Sequence, residues 1–439
     1  MMDQPQASEL LALISHLPDG TQKWKEILPK MAPELNRPQA LARLLLKVAL
    51  AYEDGRNILR VLSPIRQYML KWHPAGNHHI TNLEKYYMDF ILMHCQKSWG
   101  PTFQESKNNL EPEIGNINSV MLHALRAHAN PQIVQRLYDM SAFMCHAFVP
   151  GSLDLLDAIL PYTADLDLPT MKPQCYQLMG DVLYMQHKPT EAIEKIKTAH
   201  ADFVQIGDTS KAVQCQRSLG KMLRVQKKFE EAIEQFEAAQ PVFVQLNDKK
   251  GAAQCLRSIG AILSNQGHYV EATSKLEAAH DDFVQMNDIR GAAQCSRSLG
   301  NTLLRQGKYD EAKEKLEAAH KEFIQIDDKI RIGLCLLSMG TILLNQFQYA
   351  EAKEKVEDAY EVFKQTQNKV GTAECLQTLA KILQKMGIDI QAKDCLEKAV
   401  LLYQENGDVH TRAIKDCQDA LTSLLSVGSQ TGGDNERKV

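Results

Sequence analysis

Residues 211–250, KAVQCQRSLGKMLRVQKKFEEAIEQFEAAQPVFVQLNDKK, run directly into residues 251–290, GAAQCLRSIGAILSNQGHYVEATSKLEAAHDDFVQMNDIR, and the two segments align without a gap. The register extends in both directions. Six of the ten cysteines, Cys175, Cys215, Cys255, Cys295, Cys335 and Cys375, stand 40 residues apart. A small residue follows each by five (Gly180, Gly220, Gly260, Gly300, Gly340, Ala380), and Leu183, Leu223, Leu263, Leu303, Leu343 and Leu383 follow three later. Ala192, Ala232, Ala272, Ala312, Ala352 and Ala392 form a further small series, and Phe203, Phe243, Phe283, Phe323, Phe363 and Tyr403 close the unit. A fixed period of roughly 20–50 residues marks stacked supersecondary units. Zinc ligands come instead in pairs about two to four residues apart, and the chain has no C-x-x-C and no H-E-x-x-H.

Each period reads as two helices. Ala212, Cys215, Leu219, Met222 and Leu223 recur at three- and four-residue spacing, as one face of a helix does. Ala232, Phe236, Ala239, Phe243 and Leu246 make a second stripe. Between them lies a turn, Gln226-Lys227-Lys228-Phe229, whose counterparts Gln266-Gly267-His268-Tyr269 and Gln306-Gly307-Lys308-Tyr309 offer a glycine for the left-handed end of a helix. Asn247-Asp248, Asn287-Asp288 and Asp327-Asp328 start the links between units. Gly and Ala at the crossing points let two helix backbones approach to about 8–10 Å. The structural core is therefore expected at Cys215, Gly220, Ala232, Cys255, Gly260, Ala272, Cys295, Gly300 and Ala312.

Leu219-Gly220, Leu223, Ala232, Phe236 and Ala239 resemble the small/large pattern of tetratricopeptide repeats. The usual repeat has about 34 residues; the 40-residue period here is that of the subclass with lengthened helices. The resemblance implies an all-α solenoid over residues 166–408 with about six repeats; residues 409–425 then read as a polar capping helix, and the Gly/Ser/polar composition of 426–439 predicts a disordered tail. Ala380 and the Gly387–Ile390 turn depart from the pattern in the last clear unit.

The first 165 residues are not periodic. Helices are predicted at 7–16, 22–31 and 38–47, and two short apolar runs around Asp54-Gly55 signal a β-hairpin. Ser63-Pro64 is placed as N-cap and first-turn proline of a helix through Trp72. Three helices and a hairpin point to a winged-helix-like domain at 1–75. A helical connector follows at 76–165, with Ser98–Asn116 a loop or a broken helix. The segments Arg60–Met69 with Lys71-Trp72-His73-Pro74, and Asn118–Leu125, resemble the region between the nucleotide-binding module and the repeats of fungal signal-transducing NTPases of the NACHT or NB-ARC type. That resemblance implies repeats that sense a ligand or hold a switch closed. The family's phosphate loop, G-x-x-x-x-G-K-[ST], occurs nowhere, and Leu62-Ser63-Pro64-Ile65 stands where its Met-His-Asp triplet would fall. Either the chain is the C-terminal part of such a protein or a front half precedes Met1.

Composition narrows the function classes. The 439 residues are 44% hydrophobic and 24% charged, with no apolar run of spanning length. The N-terminus, MMDQPQASELLALI, lacks the basic cluster of a signal peptide. Lys and Arg number 50 against 54 Asp and Glu, for a net charge of −4, which gives no footprint for nucleic acid or anionic membrane. Arg37, Arg43 and Lys47 are too few to bind DNA phosphates through the third helix. A cytoplasmic location and reduced thiols are expected.

The remaining reading is a binding surface. Residues on the solvent side of the first helices line the concave face: Gln214, Arg217 and Lys221, then Gln254 and Arg257, then Gln294, Arg297 and Asn301, with Leu334, Leu337 and Glu374 in later units. Three Arg beside three Gln suit a protein or peptide partner with an acidic segment, because guanidinium grips carboxylate bidentately. Duplication of one unit would copy the same arginines without any binding role. The register cysteines and phenylalanines read as core. His200, His280 and His320, like His78-His79 and the pair His123 and His128, show no metal-ligand spacing. No catalytic constellation, metal or cofactor is expected, and the oligomeric state is open. The alternative is the regulatory half of a nucleotide-driven switch.

Overall fold

The structure, a computed structural model, describes residues 5–95, 101–147, 152–186, 188–405 and 411–431. It divides into two compact units, residues 1–182 and 183–439.

The first unit begins with α1 (Pro5–Ile14), α2 (Trp24–Met31) and α3 (Pro38–Lys47), then β1 (Ala51–Glu53), β2 (Leu59–Val61) and α4 (Ser63–Trp72). The strands pair antiparallel, Ala51 with Val61 and Glu53 with Leu59, and Thr21 between α1 and α2 adds a bridge to Leu59. Asp54 closes the hairpin: its carboxylate accepts from the Arg56 and Ile58 amides at 2.9 and 3.1 Å and from Arg60 Nε at 3.1 Å. This is the helix and hairpin order read from the sequence. One detail differs: Leu62 caps α4, with Pro64 within its first turn and no side-chain cap, so Ser63 is already helical. An extended residue before the first turn suffices there because proline lacks the N–H that a cap would satisfy.

The connector continues as α5 (Asn77–Cys95), α6 (Pro101–Leu110), α7 (Ile114–His128), α8 (Pro131–His146), α9 (Ser152–Ile159), α10 (Tyr162–Asp165) and α11 (Met171–Met185). The Gly/Pro/Asn-rich stretch is thus a broken helix, interrupted by a tight turn at Glu111–Glu113, with residues 96–100 outside the described ones. Asn116 ties this break to the start of the chain. Its Nδ2 donates to the Gly20 carbonyl at 2.8 Å and to Glu113 at 2.7 Å, while its Oδ1 accepts from the Asp19 amide at 2.9 Å. Tyr87 completes the buried network by donating to Glu113 at 2.9 Å. Cys175, Leu178, Met179 and Val182 of α11 join the core of this unit.

The second unit is a row of helical hairpins. After α12 (Pro189–Gln205) come α13 (Thr209–Val225) with α14 (Phe229–Gln245), α15 (Lys249–Gln266) with α16 (Tyr269–Gln285), and α17 (Ile289–Arg305) with α18 (Tyr309–Gln325). Two more pairs follow, α19 (Lys329–Asn345) with α20 (Tyr349–Gln365) and α21 (Lys369–Lys385) with α22 (Asp389–Gln404), before α23 (Thr411–Thr431). Asp208, Asp248, Asp288, Asp328 and Asn368 cap the first helices, each accepting from the amide three residues on at 2.8–3.3 Å. Gly267 turns the chain between paired helices with φ +87°, and Lys227 and Phe347 take the same left-handed conformation without a glycine's freedom.

α23 begins at Thr411, within the expected capping segment, and runs on to Thr431, past residue 425; residues 409–410 and 432–439 lie outside the described ones. Cys417 is fully buried, with Ala413, Ile414, Leu421 and Leu424 against the same core, and a helix anchored by such a stripe extends a turn further at little cost.

Packing within a hairpin depends on its glycine. A Cβ at Gly260 would stand 2.7 Å from Leu276 Cγ and 3.0 Å from the Ala272 carbonyl oxygen; at Gly300 it would meet Leu316 at 2.7 Å, and at Gly220 the Phe236 ring at 2.9 Å. The Ala272 backbone cannot move aside alone. Gly260→Val is therefore expected to lower the stability of the repeats by about 1–3 kcal/mol in urea unfolding. A loss below roughly 0.5 kcal/mol, the level of an ordinary surface substitution, would contradict this packing.

Candidate functional site

Adjacent first helices approach one another (α13 with α15, α15 with α17, α17 with α19, α19 with α21), whereas second helices show no comparable approach among the described residues. The first helices therefore form the inside of the curve. Their solvent-side residues are only partly exposed, shaded by their neighbours, while many on the second helices are fully exposed.

Gln214, Arg217, Lys221, Gln254, Arg257, Gln294, Arg297 and Asn301 all lie half-buried on that inner face. The three arginines share an uncommon state: the Nε of Arg217, Arg257 and Arg297 is sealed from solvent without a hydrogen-bond partner. Arg217 has partial compensation, its guanidinium lying 5.8 Å from the centre of the Phe243 ring. Among the described residues Arg257 and Arg297 have no ion-pair partner. Burial draws Arg257 down to about 10, and the charges of Arg224, Arg297 and Arg331 push the same way. Burial also lowers Arg297, with Arg331 and Arg224 adding and Glu374 opposing. Both stay charged at neutral pH, so the unfavourable placement persists in the free protein.

Two further arginines enter here that register reasoning passed over. Arg224 has Ser264, Leu304, Leu344 and Gln384 as its counterparts, and Arg331 has Lys211, Gly251, Gly291 and Gly371. Each is a singleton in the period, and only inspection of departures from the repeat would have found them. Arg331 pairs with Asp328 at 2.6 Å, and the Gln294 amide oxygen, turned toward it, accepts from its Nε and Nη2 at 3.2 Å. Asp328 also holds Arg290 at 3.1 Å. Glu374 on α21 faces the cluster, its carboxyl raised by burial with Arg297 opposing.

The remaining candidates are architectural. Cys215, Cys255, Cys295, Ala232, Ala272 and Ala312 are fully buried, and Gly220, Gly260 and Gly300 sit at the helix crossings. All ten cysteines are free thiols, and burial pushes Cys175, Cys255, Cys295, Cys335 and Cys375 up to about 12. Among the described residues no group of three His, Cys, Asp or Glu is placed to hold a metal, and no helix is long and apolar enough to cross a membrane. His123 and His128, which spacing separates, do converge: His128 Nε2 lies 3.0 Å and His123 Nδ1 4.0 Å from the buried Glu84 carboxylate. His128 is the last residue of α7, where the helix end frees its side chain to reach Glu84. The first unit also holds an apolar cavity of about 400 Å³ beside Leu11, Ile65 and Met69 and a mixed-charge one of about 580 Å³ beside Lys85, Asp89 and Glu113.

Comparison with known proteins agrees with this architecture. The family described as soluble NSF attachment protein, SNAP, matches residues 180–287, and the tetratricopeptide repeat matches residues 290–365. The hairpins are tetratricopeptide-type repeats. No curated protein sequence matches the chain. Among solved structures, aspartyl phosphate phosphatase F from Bacillus subtilis is similar at 13% identity and TM-score 0.55, over 90% of this chain and 94% of that one. A Rap protein complexed with Competence and Sporulation Factor is similar at 12% identity and TM-score 0.51, over 79% and 100% of the two chains. A Signal Transduction ATPase with Numerous Domains (STAND) protein with a tetratricopeptide repeat sensor, from Pyrococcus horikoshii, gives 14% identity and TM-score 0.49, over 95% of this chain and 65% of that one.

The thiol environment yields a direct check. Ellman's reagent at pH 8 should leave the register cysteines of the native chain unmodified, because the thiolate is the reactive form and burial suppresses it. In denaturant all ten should react. Rapid modification of native Cys255 or Cys295 would contradict their placement in the core.

Proposed function

We propose that the repeats are a non-catalytic scaffold that binds a peptide or protein segment along the inner face, with acidic side chains of the partner on Arg257 and Arg297. The observation that carries this reading is the pair of half-buried guanidiniums with sealed, unpartnered Nε atoms. A buried donor without an acceptor is costly, and a fold that keeps two side by side gains from a ligand that supplies the acceptor. Gln214, Gln254 and Asn301 flank them and suit a peptide backbone, which offers one donor and one acceptor per residue. A Rap protein of the same fold class, crystallised with Competence and Sporulation Factor, supports a ligand-holding role. A second reading, the regulatory half of a nucleotide-driven switch, draws on the three-helix and hairpin order of residues 5–72.

Selection from a random peptide display library tests the scaffold reading without a known partner. Recovered peptides should be rich in Asp and Glu. Arg257→Met with Arg297→Met should weaken them about 10-fold or more, the scale of a lost charge-assisted hydrogen bond. Lys321→Ala, on the exposed face of α18, should leave them unchanged. Peptides indifferent to the arginine pair would contradict binding on this face.

A further inference from the structure

The arginines of the inner face do not form a simple row. Arg224 lies in the last turn of α13, Arg257 in the middle of α15, Arg297 in the middle of α17 and Arg331 in the first turn of α19. Arg257 and Arg297 hold the same register position on α15 and α17, whereas Arg224 lies about two turns nearer the C-terminal end of its helix and Arg331 about two turns nearer the N-terminal end of its own. The Gln294 amide of α17, about one turn before Arg297, lies 3.2 Å from the Arg331 guanidinium, which brings Arg331 beside the Arg297 rung, and Arg224 and Arg331 both act electrostatically on Arg257 and on Arg297. Against these four positive charges stand two carboxylates. Asp328 is committed to Arg331 and Arg290, and Glu374 approaches only from α21. Among the described residues these four arginines outnumber the two carboxylates by two in a half-buried site.

A single carboxylate suits this site poorly. It brings one negative charge and two oxygens, whereas each guanidinium presents a two-donor edge. A phosphomonoester brings a charge of about −1.5 to −2 and three acceptor oxygens, which matches the excess charge and offers acceptors to more than one guanidinium. Beside the cluster, α19 offers Leu334 and Leu337, partly exposed on the same face, for an apolar residue next to the phosphate.

We propose that Arg224, Arg257, Arg297 and Arg331 form a phosphate-reading site that takes a phosphorylated Ser, Thr or Tyr side chain of the segment bound in the groove. The inference rests on the groove reading and sharpens it from an acidic to a phosphorylated partner. Gln294 is a positioning residue: its amide oxygen holds Arg331 toward the cluster.

The test uses the full chain and four fluorescent peptide pools, degenerate except for a central phosphoserine, phosphotyrosine, glutamate or serine. In anisotropy titrations at least one phosphorylated pool should bind about 10-fold or more tightly than the glutamate pool, since a charge-assisted contact of about 1.5 kcal/mol or more corresponds to that factor. The comparison needs no variant. In a second arm, Arg257→Met with Arg297→Met should abolish the phosphate preference, and Arg224→Met or Arg331→Met should reduce it, with thermal melting confirming that each variant is folded. Equal binding of the glutamate and phosphorylated pools would overturn the phosphate site and leave the groove reading standing. A phosphate preference that survives the double substitution would overturn the assignment to these residues. Absence of binding by any pool would overturn both readings.

Discussion

A glycine or alanine against a large side chain, repeated at every helix crossing, is the contact on which the rest of the repeat unit depends. Gly260 has no room for a Cβ beneath Leu276, and Gly300 none beneath Leu316. Between hairpins the same device recurs, with Gly251 and Gly291 against the rings of Phe243 and Phe283. These close approaches fix which face of each first helix is buried and which is left to line the curve. The register cysteines belong to the buried face. Their regular spacing reflects helix packing, and burial holds their thiols away from redox or metal chemistry.

The inner face carries the opposite kind of choice. Core positions are satisfied by packing alone, whereas Arg257 and Arg297 hold charge in a shaded site where, among the described residues, neither has an ion-pair partner and neither Nε has a hydrogen-bond partner. Hydrophobic residues of similar size would serve stability better there. Arrangements that lower the stability of the free protein at a concave, accessible surface are characteristic of binding sites. The contrast with Arg331 and Arg290 is instructive, because both of those have Asp328.

Much of the architecture was legible in the sequence because the period repeats the same physical solution. Helix pairs and turn positions follow from residues that recur every 40 places, whereas Asp248, Asp288 and Asp328, read only as the start of links, cap the first helices, with Asn368 in the same place on α21. The hairpin near Asp54 was legible from two short apolar runs around an Asp-Gly turn. What escaped was specific to single copies. Arg224 and Arg331 interrupt the repeat rather than obey it, so a reading built on recurrence set them aside. His128 reaches Glu84 only because a helix end lies beside α5, which linear spacing does not reveal. α23 runs to Thr431, past the residue where local composition ends it, with Cys417, Leu421 and Leu424 of its earlier turns packed on the core.

The central claim is that the arginine cluster is a binding device maintained at the expense of the free protein. The most direct measurement is the thermal stability of the chain without ligand after Arg257→Met and Arg297→Met, which keep volume and remove charge. The account predicts that the variant melts higher than the parent, by about 2–4 °C for each kcal/mol of relieved repulsion and desolvation. A melting point lowered as far as a core truncation lowers it would show that these arginines hold the fold together and would contradict the claim.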